Sequence, residues 1–468
     1  MILRGQIKPN AKACANSFLQ FVNASPTPYH VVDNLIKHYS KHGFQALNEL
    51  DDWKTVVKPG NSYFVTRNRS SIIAFSVGKH FQPGNGFAIV GTHTDSPTLR
   101  LKPKSKKSAA GFLQVGVEKY GGGIWHTWFD RDLSLAGRVL VEEEDGTVKQ
   151  HLVHIDRPLL RIPTLAIHLD PSANSSFSFN METEFVPILG LENQLNEAVS
   201  AEEEDMHHPA LLALLVQELG LGDNQVNRIL DFELILGDAE KAKLGGLHEE
   251  FVFSPRLDNL GMTFCASQAL THSMSENTED ETSIRMVASF DHEEIGSVSA
   301  QGAESNFIQS VLERLSALEM YNPQTFAQAM ARSFLVSADM AHAIHPNYMG
   351  RYESQNTPKL NEGTVLKINA NQRYTTNSAG IVLLKKVAEL AKVPVQSFCV
   401  RNDSPCGSTI GPKLAAMTGI RTLDLGNPML SMHSCREMCG TTDFEYAVLL
   451  FSKFLSSYST LSPKIIID

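Results

Sequence analysis

The stretch Ile284-Arg-Met-Val-Ala-Ser-Phe290 runs directly into Asp291-His-Glu293-Glu294-Ile-Gly-Ser297. A nearly unbroken apolar run of strand length is the pattern of a strand buried on both faces, as in a parallel sheet. Charges set at the end of such a strand need partners, because a buried ion without one is costly. The same succession recurs along the chain. Phe87-Ala-Ile-Val90 leads into Gly91-Thr-His93-Thr-Asp95-Ser-Pro97, and Phe334-Leu-Val-Ser337 into Ala338-Asp339-Met-Ala-His342. Arg421-Thr-Leu-Asp-Leu425 is followed a few residues later by Ser431-Met-His433-Ser434, and Pro255-Arg-Leu-Asp258-Asn259 opens a predicted helix. In open α/β sheets, ligands bind beyond the carboxyl ends of the strands. One sheet edge is therefore expected to carry histidines and carboxylates together. Each motif alone has a plain structural reading: Asp258 as a helix cap, Glu293 and Glu294 as solvated charges. Their joint occurrence is what points to a site.

Working outward, strands are expected at 71–77, 86–90, 231–236, 364–369, 395–400 and 421–425, with helices at 258–272, 307–318, 379–391 and 411–419. This alternation predicts an α/β fold: three layers, with a central, mainly parallel sheet covered on both faces. An N-terminal helix is legible from Thr27 as cap, Pro28 at the first helical position, the stripe Val31, Val32, Leu35, Ile36 and Tyr39, and Gly43 as its stop. Between about 100 and 233 the texture changes to period-2 alternation at 112–117, 137–142 and 148–155, with Asp145-Gly146 as a hairpin turn. A polar run at 202–205 and a helix at 209–219 complete that section. It reads as an inserted β-rich domain with its own core, splitting the α/β domain into 1–99 and 234–468.

Composition narrows the function. A chain of 468 residues exceeds one ordinary core. Its net charge of −10 argues against nucleic acid or an anionic membrane as the main partner. No apolar run approaches the roughly 20 residues of a membrane span, and the first residues lack the apolar core of a secretory signal. Six cysteines make no disulfide framework and read as reduced thiols of a cytosolic protein. His433-Ser-Cys435-Arg-Glu-Met-Cys439 imitates a zinc spacing, but packed thiols are the preferred reading. Taken alone, Lys367 would be a snorkelling surface charge, and His168 a core histidine among Leu165, Ile167 and Leu169.

The segments His93-Thr-Asp95, Arg256-Leu-Asp258-Asn-Leu260, Asp291 to Ser297, Ser337-Ala-Asp-Met-Ala-His-Ala343 and Met432-His-Ser434 resemble, in order, those of the aspartyl aminopeptidases, which are co-catalytic metallopeptidases. Leu165-Ala-Ile-His168-Leu169 and Lys367-Ile-Asn-Ala-Asn-Gln-Arg-Tyr374 extend the likeness over nearly the whole chain. The resemblance implies two divalent ions, zinc first, with cobalt or manganese as alternatives. His93, Asp258 and Asp339 would hold one ion and Asp258, Glu294 and His433 the other, with Asp258 as bridge. Two dications against three carboxylates leave one positive charge, which a shared hydroxide neutralises. Glu293 would be the general base, and Asp95 would orient His93, the alternative for Asp95 being a turn carboxylate. The implied reaction removes N-terminal aspartate, then glutamate, from peptides. Lys367 would meet the acidic side chain, with Tyr374, His342, Asp339 and Glu293 also touching substrate. His168 is expected to reach a neighbouring subunit's site within a homo-oligomer of twelve. The implied setting is cytoplasmic, with delivery to a vacuole or lysosome as cargo as the variant. The competing reading keeps the fold as a non-catalytic, metal-stabilised shell or cargo-binding protein.

Overall fold

The computed structural model describes residues 7–194, 206–276, 279–319 and 322–466, so the polar run 202–205 lies outside the described residues. The chain divides into two units. The first comprises Met1–Ser96, Ala242–Met432 and Glu437–Asp468, and the second Pro97–Lys241 with His433–Arg436.

The first unit is organised by a nine-stranded sheet. Ile284–Phe290 lies inside it, antiparallel to Ser71–Val77 and parallel to Phe87–His93. Both Ile284–Phe290 and Phe87–His93 are buried at every position, as their unbroken apolar runs require. Parallel pairing continues through Phe334–Ala338 and Arg421–Gly426. Thr364–Ile368 then joins antiparallel, with Val395–Cys399 parallel to it at the rim. On the other side Ser62–Arg67 pairs antiparallel with Ser71–Val77 through a turn in which Asn68 and Arg69 both have positive φ. The sheet is thus parallel at its centre and mixed at its margins.

Side-chain alternation divides the interior into two cores. Ala88, Val90 and Val287 face a core shared with residues of the helices Pro9–Asn23, Pro28–Lys41, Leu257–Ser273, Ser378–Ala391 and Asp443–Leu461. Phe87, Ile89 and Met286 face the other, with residues of Phe307–Ser316 and Ile410–Thr418. Pro28–Lys41 forms as its signals demand: Thr27 accepts from the His30 amide, and Val31, Val32, Leu35 and Tyr39 are buried. A separate five-stranded sheet of this unit joins Lys243–Gly245, Phe251–Ser254, Glu437–Gly440, Pro428–Leu430 and Ala341–His342.

The second unit carries a six-stranded sheet: Val148–Leu160, Leu133–Glu142, Ile229–Asp238, Thr98–Ala109, Phe112–Tyr120 and Ile188–Leu191 in spatial order. Leu135, Val139, Val153, Leu234 and Leu236 form its core with Leu211 and Leu215 of the helix Pro209–Glu218. The strand expected at 231–236 therefore belongs here and not to the α/β sheet. It pairs antiparallel with Leu133–Glu142 and Thr98–Ala109. Leu234, Ile235 and Leu236 are buried at its centre, while Glu233 just before them is exposed and meets Arg138. Among the described residues no helix is long and apolar enough to cross a membrane.

Candidate functional site

Register builds the site. Phe290 lies opposite His93 and Ser337 opposite Gly91, so His93, the turn after Phe290 and Asp339 leave the sheet at one edge. His93 is 1% exposed. Its Nδ1 lies 3.0 Å from the Asp95 carbonyl oxygen and 3.2 Å from Asp95 Oδ1. Nε2 faces Asp258 Oδ1 at 3.3 Å and Glu293 Oε2 at 3.9 Å. Asp95 does more than hold the imidazole. Its Oδ1 accepts from the Glu293 amide and its Oδ2 from the Glu294 amide, both at 3.1 Å. One carboxylate thereby couples two motifs far apart in sequence.

Asp258 is not the helix cap. Arg256 occupies that position in the left-handed region, and Asp258 and Asn259, joined by a cis peptide bond, depart from helical geometry. The Asp258 carbonyl accepts from Ser96 Oγ at 2.6 Å. Asn259 Nδ2 donates to the Ala338 carbonyl at 2.8 Å, tying this turn to the segment that carries Asp339. Asp339 in turn depends on Gly426, where a Cβ would lie 1.7 Å from the Asp339 carbonyl oxygen.

A nitrogen of His93, an oxygen of Asp258 and an oxygen of Glu294 lie within 4.8 Å of one another. In the expected two-ion division His93 and Glu294 belong to different ions and Asp258 to both. Protons are held tightly here. Burial pushes Glu293 up to about 8, helped by Asp339, Asp95 and Asp258 and opposed by His93. Burial also raises Asp339, although Lys367 Nζ lies 3.4 Å from its Oδ1. For His93, burial works toward the neutral form, but Asp258 and Asp95 win and hold it well above its usual range. Such groups are the ones a divalent cation would strip of protons. Imidazole and carboxylate donors without thiolate fit zinc.

Lys367 is not a snorkelling charge: it is 4% exposed, and its Nζ lies 5.4 Å from the ring centre of Tyr374, which is also buried. His342 is exposed at the end of its strand, 5.7 Å from the Phe398 ring. In the second unit His168 is exposed, and Leu165, Ile167 and Leu169 are 60%, 45% and 71% exposed, which removes the core-histidine reading. His433 Nδ1 lies 3.0 Å from the Gly122 carbonyl oxygen. Donation there makes Nε2 the basic nitrogen. Cys435 and Cys439 are buried thiols, neither in a disulfide.

Sequence reasoning missed Glu437. It is 3% exposed, and its Oε2 accepts from the amides of Leu257 at 2.7 Å and Asp258 at 3.3 Å. The run that contains it was legible chiefly for its cysteines. A lone acid entering a buried strand was the usable signal.

Glu293 lies beside that trio, 3.9 Å from His93 Nε2, with its proton affinity raised by burial. A carboxylate so tuned, next to imidazole and carboxylate donors that could hold a cation at the carboxyl edge of such a sheet, is the arrangement of a metal-dependent hydrolase. The chain belongs to the M18 family: the model described as aminopeptidase I zinc metalloprotease matches residues 21–455. It is a metal-dependent aminopeptidase. It is 72% identical to aspartyl aminopeptidase 1 of Schizosaccharomyces pombe, with 100% of both chains covered. Among solved structures it resembles a chain of the Ape4 and Nbr1 complex, at 71% identity and a TM-score of 0.97, covering 100% of this chain and 90% of that one. It also resembles the mApe1 dodecamer of S. cerevesiae, at 31% identity and a TM-score of 0.85, covering 97% and 99%.

Proposed function

We propose that the chain removes acidic residues, aspartate before glutamate, from peptide N-termini, with two divalent ions, zinc in the first place, at the edge that carries His93. The observation that carries this reading is the convergence of His93, Asp258 and Glu294 donors within 4.8 Å beside Glu293. Asp339 and, by the resemblance, His433 through Nε2 complete the ligand set. The bound metal supplies Lewis acidity. Glu293 takes a proton from the attacking water and returns it to the leaving amine nitrogen, a role suited by its raised proton affinity. Asp95 keeps Glu293 and Glu294 in register with His93 through the two amides it accepts. Lys367 supplies the cation without which an acidic side chain would not leave water, with Tyr374 and His342 also meeting the substrate.

The exposed Leu165, Ile167 and Leu169 around His168 suit burial against a second copy of the chain. We carry over a homo-oligomer of twelve from the dodecameric neighbour, with His168 serving an adjacent subunit. The relative in complex with Nbr1 supports a further protein partner. The setting we propose is cytoplasmic, with delivery to a vacuole or lysosome as cargo. The non-catalytic shell reading gives way to the aminopeptidase.

The test is release of the first residue from aspartyl, glutamyl, leucyl and lysyl peptides by zinc-loaded and chelator-treated protein. Turnover confined to the loaded protein and ordered aspartyl, glutamyl, then neutral is expected; turnover unaffected by chelation would sink the reading. Lys367→Met should lower kcat/KM for aspartyl peptides about 10- to 150-fold, the ratio for losing a charged hydrogen bond worth roughly 1.5–3 kcal/mol. Leucyl peptides should be spared and zinc content unchanged. An equal loss on both substrates would remove Lys367 as the selector.

A further inference from the structure

Glu437 lies one residue past the Cys435-Arg436 pair, at the start of Glu437–Gly440. That strand pairs antiparallel with Phe251–Ser254, and Ser254 stands directly opposite Glu437. From Ser254 the chain turns through Pro255 and Arg256 into Asp258. Register thus sets the Glu437 carboxylate beside the turn that carries Asp258, whose Oδ1 lies 3.3 Å from His93 Nε2. There a single oxygen, Oε2, accepts two consecutive amides, those of Leu257 and Asp258. The helix that begins here receives no cap from its own N-cap side chain. Glu437 replaces that cap, supplied from a strand 179 residues away.

We propose that Glu437 is a positioning residue for the metal site: by gripping the Asp258 amide it fixes where the Asp258 carboxylate sits. This rests on the metal-site reading above. Asp258 is held from its amide by Glu437, from its carbonyl by Ser96 Oγ at 2.6 Å, and through Asn259 to the Ala338 carbonyl. Of these grips Glu437 is the one that takes two consecutive amides on a single buried oxygen, so it fixes the turn at two points. Its carboxylate grips main-chain amides and acts through Asp258, which makes it a positioning residue and not a catalytic one. Residues behind metal ligands commonly alter metal affinity by 10- to 100-fold when changed. A purely structural role, capping the helix, would lower the melting point and leave metal affinity alone.

Three variants separate these roles. Glu437→Gln keeps a carbonyl oxygen where Oε2 stands. Glu437→Met keeps the volume without an acceptor. Glu437→Asp is one methylene too short to reach both amides and stays available if the Met variant fails to fold. Each chain would be stripped of metal, melted, and titrated with zinc against a chromophoric chelator. The cobalt-loaded forms would be compared by their visible spectra. Zinc affinity is expected to fall about 10- to 100-fold in the Met and Asp variants, with a changed cobalt spectrum, and less than about threefold in the Gln variant. The proposal is overturned if Met and Asp bind zinc as the parent does, whatever their melting points. It is equally overturned if Gln loses as much as Met, since charge and not grip would then be the cause. Failure of the parent chain to bind zinc would instead strike the metal-site reading itself.

Discussion

Replacing Glu293 with Gln is expected to lower kcat by about 10²- to 10⁴-fold, the usual range for a positioned proton carrier. KM and zinc content should stay near those of the parent. Gln matches Glu in shape but cannot take up a proton. The main-chain amide of Glu293, which donates to Asp95, is untouched by the change. Glu294 keeps its own amide bond to Asp95 as well, so the ligand beside it stays where it is. The loss should therefore appear in kcat alone, measured by steady-state hydrolysis of an aspartyl peptide with zinc quantified in the same sample. A variant that keeps parental kcat would assign proton transfer elsewhere. One that loses zinc would make Glu293 a ligand.

The second large effect concerns stability. Arg285, in the strand Ile284–Phe290, is only 2% exposed. Its guanidinium donates to Glu281 Oε2 through Nε at 3.0 Å and Nη2 at 2.7 Å, and through Nη1 to the Ser273 carbonyl. Glu281 is 3% exposed and also accepts from the amide and hydroxyl of Ser283. Glu281→Ala would break this buried ion pair by removing one member, which costs about 3–5 kcal/mol. The midpoint of urea unfolding should fall accordingly. Arg285→Met combined with Glu281→Leu should recover most of that loss, because a buried pair is worth much less than half of one. Catalysis by the folded fraction should be unchanged, since Arg285 sits roughly 17 Å along the strand from Phe290, where the site begins. A Glu281→Ala protein with parental stability would show that water reaches the guanidinium.

What could be read from the sequence depended on whether a signal was local. Phe87–His93, Ile284–Phe290 and Phe334–Ala338 declared themselves, because strands buried on both faces must be apolar throughout and their charged ends then stand out. Ile229–Asp238 was visible as a strand, but alternation says which face is buried and nothing about which sheet receives it. The helices Pro9–Asn23 and Asp443–Leu461 were not anticipated. Asp443–Leu461 buries residues over much of its circumference, including Asp443, Ser452 and Ser456, so its periodic signal is diluted. In the site, His93, Asp258, Glu294 and Asp339 were legible because their residue types are those of metal ligands. Asp95 was legible as a partner of His93, but its hold on Glu293 and Glu294 was not, since that grip exists only once two strands lie side by side. Glu437 escaped for the same reason: its importance is a matter of register.

That Asp95 must wait for Glu293 and Glu294 has a consequence in time. The ribosome delivers His93 and Asp95 early, then spends most of its effort on other residues before the chain that carries Asp339 emerges. At roughly 5–20 residues per second the interval is on the order of 10–50 s. Through that interval the nascent polypeptide holds fragments of a peptidase but no active centre. A hydrolase made this way is disarmed until Asp339 has been added.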